Sequence, residues 1–134
     1  MSVRSSGSQP IQIEQDVVLA RQTARKLAQE CGMRLIDLTK MVTAVSELAR
    51  NTMVYGGGGD MDWEILEESG RTGLRLVFRD EGPGIPDLKL AMTDGWTSGG
   101  GLGLGLTGAR RLVEEFELET EPGKGTRITI TRWT

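Results

Sequence analysis

The sequence predicts an α/β (α+β) two-layer sandwich: one mixed, mostly antiparallel sheet covered on one face by three helices. Three observations carry that expectation. Two long stretches before residue 55 repeat apolar residues at helical spacing, and from Asp62 onward the period drops to two. The 134 residues include one Cys and no His, so the core must come from side-chain packing without disulfides or zinc. That length suffices for one domain with a substantial core.

Residues 1–10, chiefly Ser, Gly, Gln and Pro, offer little to bury and are expected as a disordered tail outside a single domain of residues 11–134. Ile11-Gln-Ile13 alternates like a short strand, and Asp16 can cap a helix whose inner stripe is Val17, Ala20, Ala24, Leu27, Ala28 and Cys31. Gly32 stops it. A second helix runs from Leu35 to about Val54 through Leu38, Met41, Val42, Val45, Leu48 and Ala49, and ends at Gly56 to Gly59. Trp63 and Ile65, then Leu74, Leu76 and Phe78, read as two hairpin strands. After the Asp80-Glu-Gly-Pro-Gly-Ile-Pro86 break, a short helix is expected at Leu88 to Met92 and a mobile loop at Thr93 to Gly101. A helix from Leu104 to Phe116, then strands near 116–120 and 127–133 around a Pro122-Gly-Lys-Gly125 turn, complete the sandwich.

A net charge of −3 argues against nucleic acid and against an anionic membrane surface as partners. No stretch approaches the ~20 apolar residues of a membrane span and the first residues lack a signal-peptide core, so a cytoplasmic protein is expected. Without imidazole, chemistry here must use carboxylates, amides and backbone.

Three local patterns can carry chemistry. In Ser46-Glu-Leu-Ala-Arg-Asn51, Glu47 and Asn51 stand four apart on one helix face, off the main apolar stripe. A carboxylate beside a carboxamide suits Mg²⁺ and can orient a hydroxyl, although two polar residues on a solvated face make the same pattern. Asp80 ends an apolar strand and is followed by Gly82 and Gly84, which suits either a turn or a ligand face approaching backbone, with the acid accepting from an amine such as that of adenine. Gly99-Gly-Gly-Leu-Gly-Leu-Gly-Leu106 runs into a helix and can aim amides at phosphate. Gly103-Leu-Gly-Leu-Thr-Gly108 also matches G-x-G-x-x-G, but no buried strand precedes it, so a dinucleotide fold does not follow.

The order of these patterns, closing with Gly123-Lys-Gly-Thr126, resembles the GHKL ATPase superfamily and its Bergerat nucleotide fold over residues 11 to 133. Ser46-Glu-Leu-Ala-Arg-Asn51, Asp80-Glu-Gly-Pro-Gly-Ile-Pro86, the Asp94 to Gly105 stretch and Arg110-Arg-Leu-Val-Glu-Glu-Phe116 are similar to the small serine/threonine switch kinases of the RsbT type. The resemblance implies ATP and Mg²⁺ as cofactors, Glu47 as the base or hydroxyl-orienting group, Asn51 as the Mg²⁺ ligand, and Asp80 as acceptor for the adenine amine. It implies that Gly82 and Gly84 let the base sit down, with Ile85 among the nucleotide-binding residues. Gly99, Gly100, Gly101, Leu102, Gly103, Leu104 and Gly105 would cover the phosphates, with Thr126 near adenine and Arg50 a lesser candidate for the terminal phosphate.

By the same resemblance the acceptor is a Ser or Thr of a STAS-domain antagonist protein in a partner-switching stress circuit, the stressosome system among them. A metal-dependent serine/threonine phosphatase or a sigma factor is a further candidate partner. The alternative is an anti-sigma factor or a non-catalytic, nucleotide-dependent binding module. Trp96 is expected to close a loop or touch ligand, Trp63 and Trp133 to pack, and Glu114, Glu115, Glu117, Glu119 and Glu121 to form a solvated face.

Overall fold

The computed structural model describes residues 1–84 and 102–134, and among these it forms five strands and three helices. In chain order the elements are β1 Ser2–Ile11, α1 Glu14–Glu30, α2 Leu35–Val54, β2 Gly59–Glu68, β3 Arg71–Asp80, α3 Leu102–Arg111, β4 Glu115–Glu121 and β5 Gly125–Trp133. The strands lie in the order β1-β2-β3-β5-β4, and every pair among them is antiparallel. The expected helix at 88–92 and loop at 93–101 lie outside the described residues.

Helix α1 buries the predicted stripe of Val17, Ala20, Ala24, Leu27 and Ala28. Asp16 caps it from inside the first turn, accepting from the amides of Gln12 at 2.8 Å and Ile13 at 3.1 Å. Gly32, at φ +81°, turns the chain out of the helix, and the Met33 amide donates back to the Ala28 carbonyl at 3.0 Å. Helix α2 buries Leu38, Met41, Val45, Leu48 and Ala49 against the sheet residues Met61, Ile65, Leu74, Leu76, Phe78, Ile128 and Ile130. Leu106 and Ala109 carry α3 into the same core. All the apolar sheet positions named lie on one face by the period of two, so the helices cover that face alone.

The hairpin is longer than its apolar residues suggested. Ser69 and Gly70, both at positive φ (51° and 79°), join β2 to β3 in a two-residue turn of the type that matches strand twist. Helix α3 ends at Arg111 and does not reach Phe116, which belongs to β4 opposite Ile130. Pairing of Glu115 with Thr131, and the Glu114 carboxylate accepting from the Trp133 amide at 2.9 Å, take those residues for the sheet.

The first ten residues correct the sequence expectation outright. They form β1, an edge strand paired with β2 from Ser2–Glu67 to Ile11–Gly59, with a register shift between Val3 and Ser5. Backbone pairing and not burial holds them, since most of the strand is exposed. Gly7 has a packing role: a Cβ there would run into the Trp63 ring.

Candidate functional site

The end of the sheet nearest the C-terminus of α2 gathers residues far apart in sequence. Register places Gly59, Asp80, Thr126 and Thr120 side by side across β2, β3, β5 and β4. Asp80 shares its face with Phe78, Thr126 with Ile128, so both side chains look toward α2. Asn51, Thr52, Asp80, Gly84, Thr126 and Ile128 thus line one small cleft, into which α2 delivers Asn51 from its last turns. Three separate motifs of the sequence meet there.

Asp80 is half-buried, and burial pushes its carboxyl above the usual carboxylate range. The backbone amides of Gly82 and Thr126 oppose that rise, the Gly82 N–H donating to Oδ1 at 2.9 Å. An acid with a desolvation cost and no cation partner among these influences is one whose remaining capacity suits a ligand's N–H. On Asn51, the Nδ2 atom is buried with no hydrogen-bond partner among the described residues. The Asn51 backbone carbonyl accepts from the Tyr55 amide at 2.9 Å and the Gly56 amide at 3.1 Å to end the helix.

Glycines make the cleft by letting backbone close in. A Cβ on Gly56 would overlap the Asp80 carboxylate, and one on Gly82 would stand 2.7 Å from Gly56 Cα. Gly125, at φ +111°, would drive a Cβ into the Asp80 carbonyl oxygen. Gly84 packs the same way on the Glu121 carbonyl, and the Gly123 amide donates to the Pro83 carbonyl at 2.7 Å. The fold therefore needs Gly82 and Gly84 for its own backbone contacts, whatever the cleft receives.

Glu47 is exposed one turn before Asn51 on α2, on the same helix face but outside the cleft lining. Arg50 reaches the other way, pairing with Glu14 of α1 at 2.8 Å. Ile85, Trp96, Gly99, Gly100 and Gly101 lie outside the described residues, and Leu102, Gly103, Leu104 and Gly105 form the first turn of α3. Among the described residues no group of three or more His, Cys, Asp or Glu could hold a metal ion. Sequence reasoning missed Gly56, Gly125 and Thr120. The Gly56-Gly-Gly-Gly59 run was legible as a helix stop, yet its contact with Asp80 joins residues two strands apart in the chain.

No helix among the described residues is long and apolar enough to cross a membrane. Residues 36–133 match the family model of histidine kinase-, DNA gyrase B- and HSP90-like ATPases. The serine/threonine-protein kinase RsbT of Bacillus subtilis is 44% identical over 123 residues, which span 92% of each chain. The anti-sigma F factor of Clostridium novyi is 29% identical over 88% of this chain and 86% of its own. Among solved structures, the RsbU and RsbW domains of a Mycobacterium tuberculosis protein align with a TM-score of 0.59 at 19% identity, covering 94% of this chain and 32% of that one. The SiaB–SiaC complex of Pseudomonas aeruginosa aligns at 0.55 and 12% identity, covering 98% and 91%. Those two structures share the fold.

Proposed function

The chain belongs to the histidine kinase-, DNA gyrase B- and HSP90-like ATPase family and is an ATP-binding protein serine/threonine kinase; on that premise we propose how its residues bind ATP and which protein they phosphorylate. Convergence of Asn51, Asp80 and Thr126 on one cleft is the observation that carries this reading. Asp80 accepts from the adenine amine, with Thr126 beside it. The backbone approach at Gly56, Gly82 and Gly84 shapes the wall that receives the flat base. Leu102 to Gly105, at the start of α3, with Gly99, Gly100 and Gly101 before them, contact the phosphates, and Ile85 is among the nucleotide-binding residues.

Asn51 fits a Mg²⁺ carried in with ATP: a half-buried carboxamide with an unpartnered nitrogen can turn its oxygen into the cleft, and Mg²⁺ commonly takes one or two protein ligands beside phosphates. Bound there, Mg²⁺ supplies charge neutralisation for phosphoryl transfer. Glu47, exposed one turn along α2, orients and deprotonates the incoming hydroxyl; its openness to solvent is what a protein acceptor requires. Transfer of this kind asks chiefly for alignment, which explains how a chain without His performs it.

The acceptor in this proposal is a Ser or Thr of a STAS-domain antagonist in a partner-switching stress circuit of the cytoplasm. A serine/threonine phosphatase is the downstream partner. Similarity to anti-sigma F factors over most of the chain supports a second reading, in which the same surface also restrains a sigma factor.

The test incubates the protein with Mg²⁺, γ-labelled ATP and a STAS-domain protein of the same genome. Label should appear on a partner Ser or Thr. Glu47→Ala should still bind nucleotide but transfer phosphate ~10²-fold or more slowly, as for loss of a catalytic base. Unchanged turnover in that variant removes Glu47 from the mechanism, and binding of ATP without transfer to any STAS partner moves the weight to the sigma-binding reading.

A further inference from the structure

Beside Thr126, on the strand farther from Asp80, a second hydroxyl completes a short chain. Thr120 of β4 is the cross-strand partner of Thr126, and the two Oγ1 atoms lie 3.1 Å apart. Thr120 Oγ1 also donates to the Gly125 carbonyl at 3.2 Å. A carbonyl has no proton to give, and a hydroxyl has one. Toward Thr126, therefore, Thr120 acts as acceptor, and the Thr126 proton points toward β4, away from Asp80. The bonds run Thr126 O–H to Thr120 O–H to Gly125 C=O, each polarising the next.

The consequence falls on the wall that the base would meet. Asp80 offers carboxylate oxygen, and Thr126, its proton engaged by Thr120, offers lone pairs. Such a wall accepts and does not donate. Where it meets the 6-substituent, it welcomes an amino group, whose N–H bonds it can accept, and opposes an oxo group, whose oxygen would face lone pairs with nothing between.

We propose that Thr120 is a positioning residue for nucleotide choice: by holding the Thr126 hydroxyl in its accepting orientation, it makes the cleft select adenine over 6-oxo purines. This rests on the reading of the cleft as the adenine site. Without the Thr120 hydroxyl, Thr126 is free to rotate and donate, and the 6-oxo base gains the bond it lacked.

The experiment measures ATP and ITP affinities by calorimetry for the parent protein, Thr120→Val, Thr120→Ser and Thr126→Val, with thermal melts to verify folding. Thr120→Val should lower the ATP-to-ITP affinity ratio about tenfold, the value of a single hydrogen bond, and Thr120→Ser should restore it. In a Thr126→Val background the Thr120→Val change should have no further effect on the ratio, because it acts through Thr126. Thr120→Ala serves the same comparison if the valine variant unfolds. An unchanged ratio in a folded Thr120→Val or Thr120→Ala protein overturns the proposal while leaving the adenine site intact. Full ATP affinity in Asp80→Asn overturns the adenine site and the proposal with it.

Discussion

Asp80 shows what a half-buried carboxylate costs the fold that carries it. Its carboxyl lies above the ordinary range because burial outweighs the help of the Gly82 and Thr126 amides. The sign follows from linkage. A raised carboxyl pKa means that the folded state holds the proton more tightly than the unfolded chain, so this group favours folding at low pH. That contribution is lost as pH rises from the ordinary carboxylate range through the raised value. At neutral pH the ionised acid is a net burden on stability. Asp80→Asn, which keeps an oxygen for the Gly82 amide at the same place, should melt at the same temperature or higher at pH 7 while losing ATP affinity in calorimetry. A variant that melts much lower would mean that Asp80 serves packing before ligand.

Among the elements, α2 has two tasks at its two ends. Its C-terminal turns present Glu47 and Asn51, while its first turn holds Asp37, whose Oδ1 accepts from Arg132 of β5 at 2.6 Å. Arg132 also donates to the Leu112 carbonyl at 3.0 Å, just past α3, so one guanidinium ties α2, β5 and the exit of α3 together. The hydrogen bond from Arg132 is the main reason that the Asp37 carboxyl lies below its usual range, the Arg132, Arg34 and Lys40 charges adding to it. Here the sign is opposite to that of Asp80. Stability from this pair is present above the ordinary carboxylate pKa and is lost as pH falls through the depressed one. Asp37→Asn should therefore lower stability at neutral pH and flatten the acid limb of a denaturation midpoint followed from pH 7 to pH 3. An acid limb as steep as that of the parent would show that other carboxylates carry it, Asp62 beside Arg79 being the next candidate.

At the scale of the whole molecule, the sheet formed by the described residues ends in β1 and β4, and both edges are guarded. Strand β4 presents Glu115, Glu117, Glu119 and Glu121 to solvent in an unbroken alternation, which repels a neighbouring strand. Strand β1 carries Pro10 and the register shift at Val3 and Ser5. Removing residues 1–10 would strip β2 of a partner along its length and uncover Trp63. We expect such a truncation to lose more than about 1 kcal/mol, a fall in melting temperature of roughly 4 °C or more in a chain of this size, and to associate at concentrations where the full chain does not. Equal melting curves would make β1 an ornament of the sheet.

What could be read in advance follows from which forces are local. Helical period and the switch to a period of two are written in neighbouring residues, so α1, α2 and the β2–β3 hairpin were legible, and so was the two-layer arrangement. The residue types and order of Glu47, Asn51, Asp80 and the glycine-rich stretch were legible as motifs, because each is a few residues long. Strand β1 was not, since Ser, Gly and Gln bury nothing and are held by hydrogen bonds to a strand some fifty residues away. Nor was the end of α3, where competition between helix and sheet for residues 112 to 115 is settled by Thr131 and Trp133. The cleft itself belongs to tertiary structure alone. Asn51, Asp80 and Thr126 become neighbours only when strand register aligns β3 with β5 beneath α2, and Thr120 acquires its hold on Thr126 only when β4 pairs beside them. Sequence by itself determined which polar groups and glycines this chain could bring to a cleft; packing decided which of them meet, because distance along a chain carries no information about which strands share an edge.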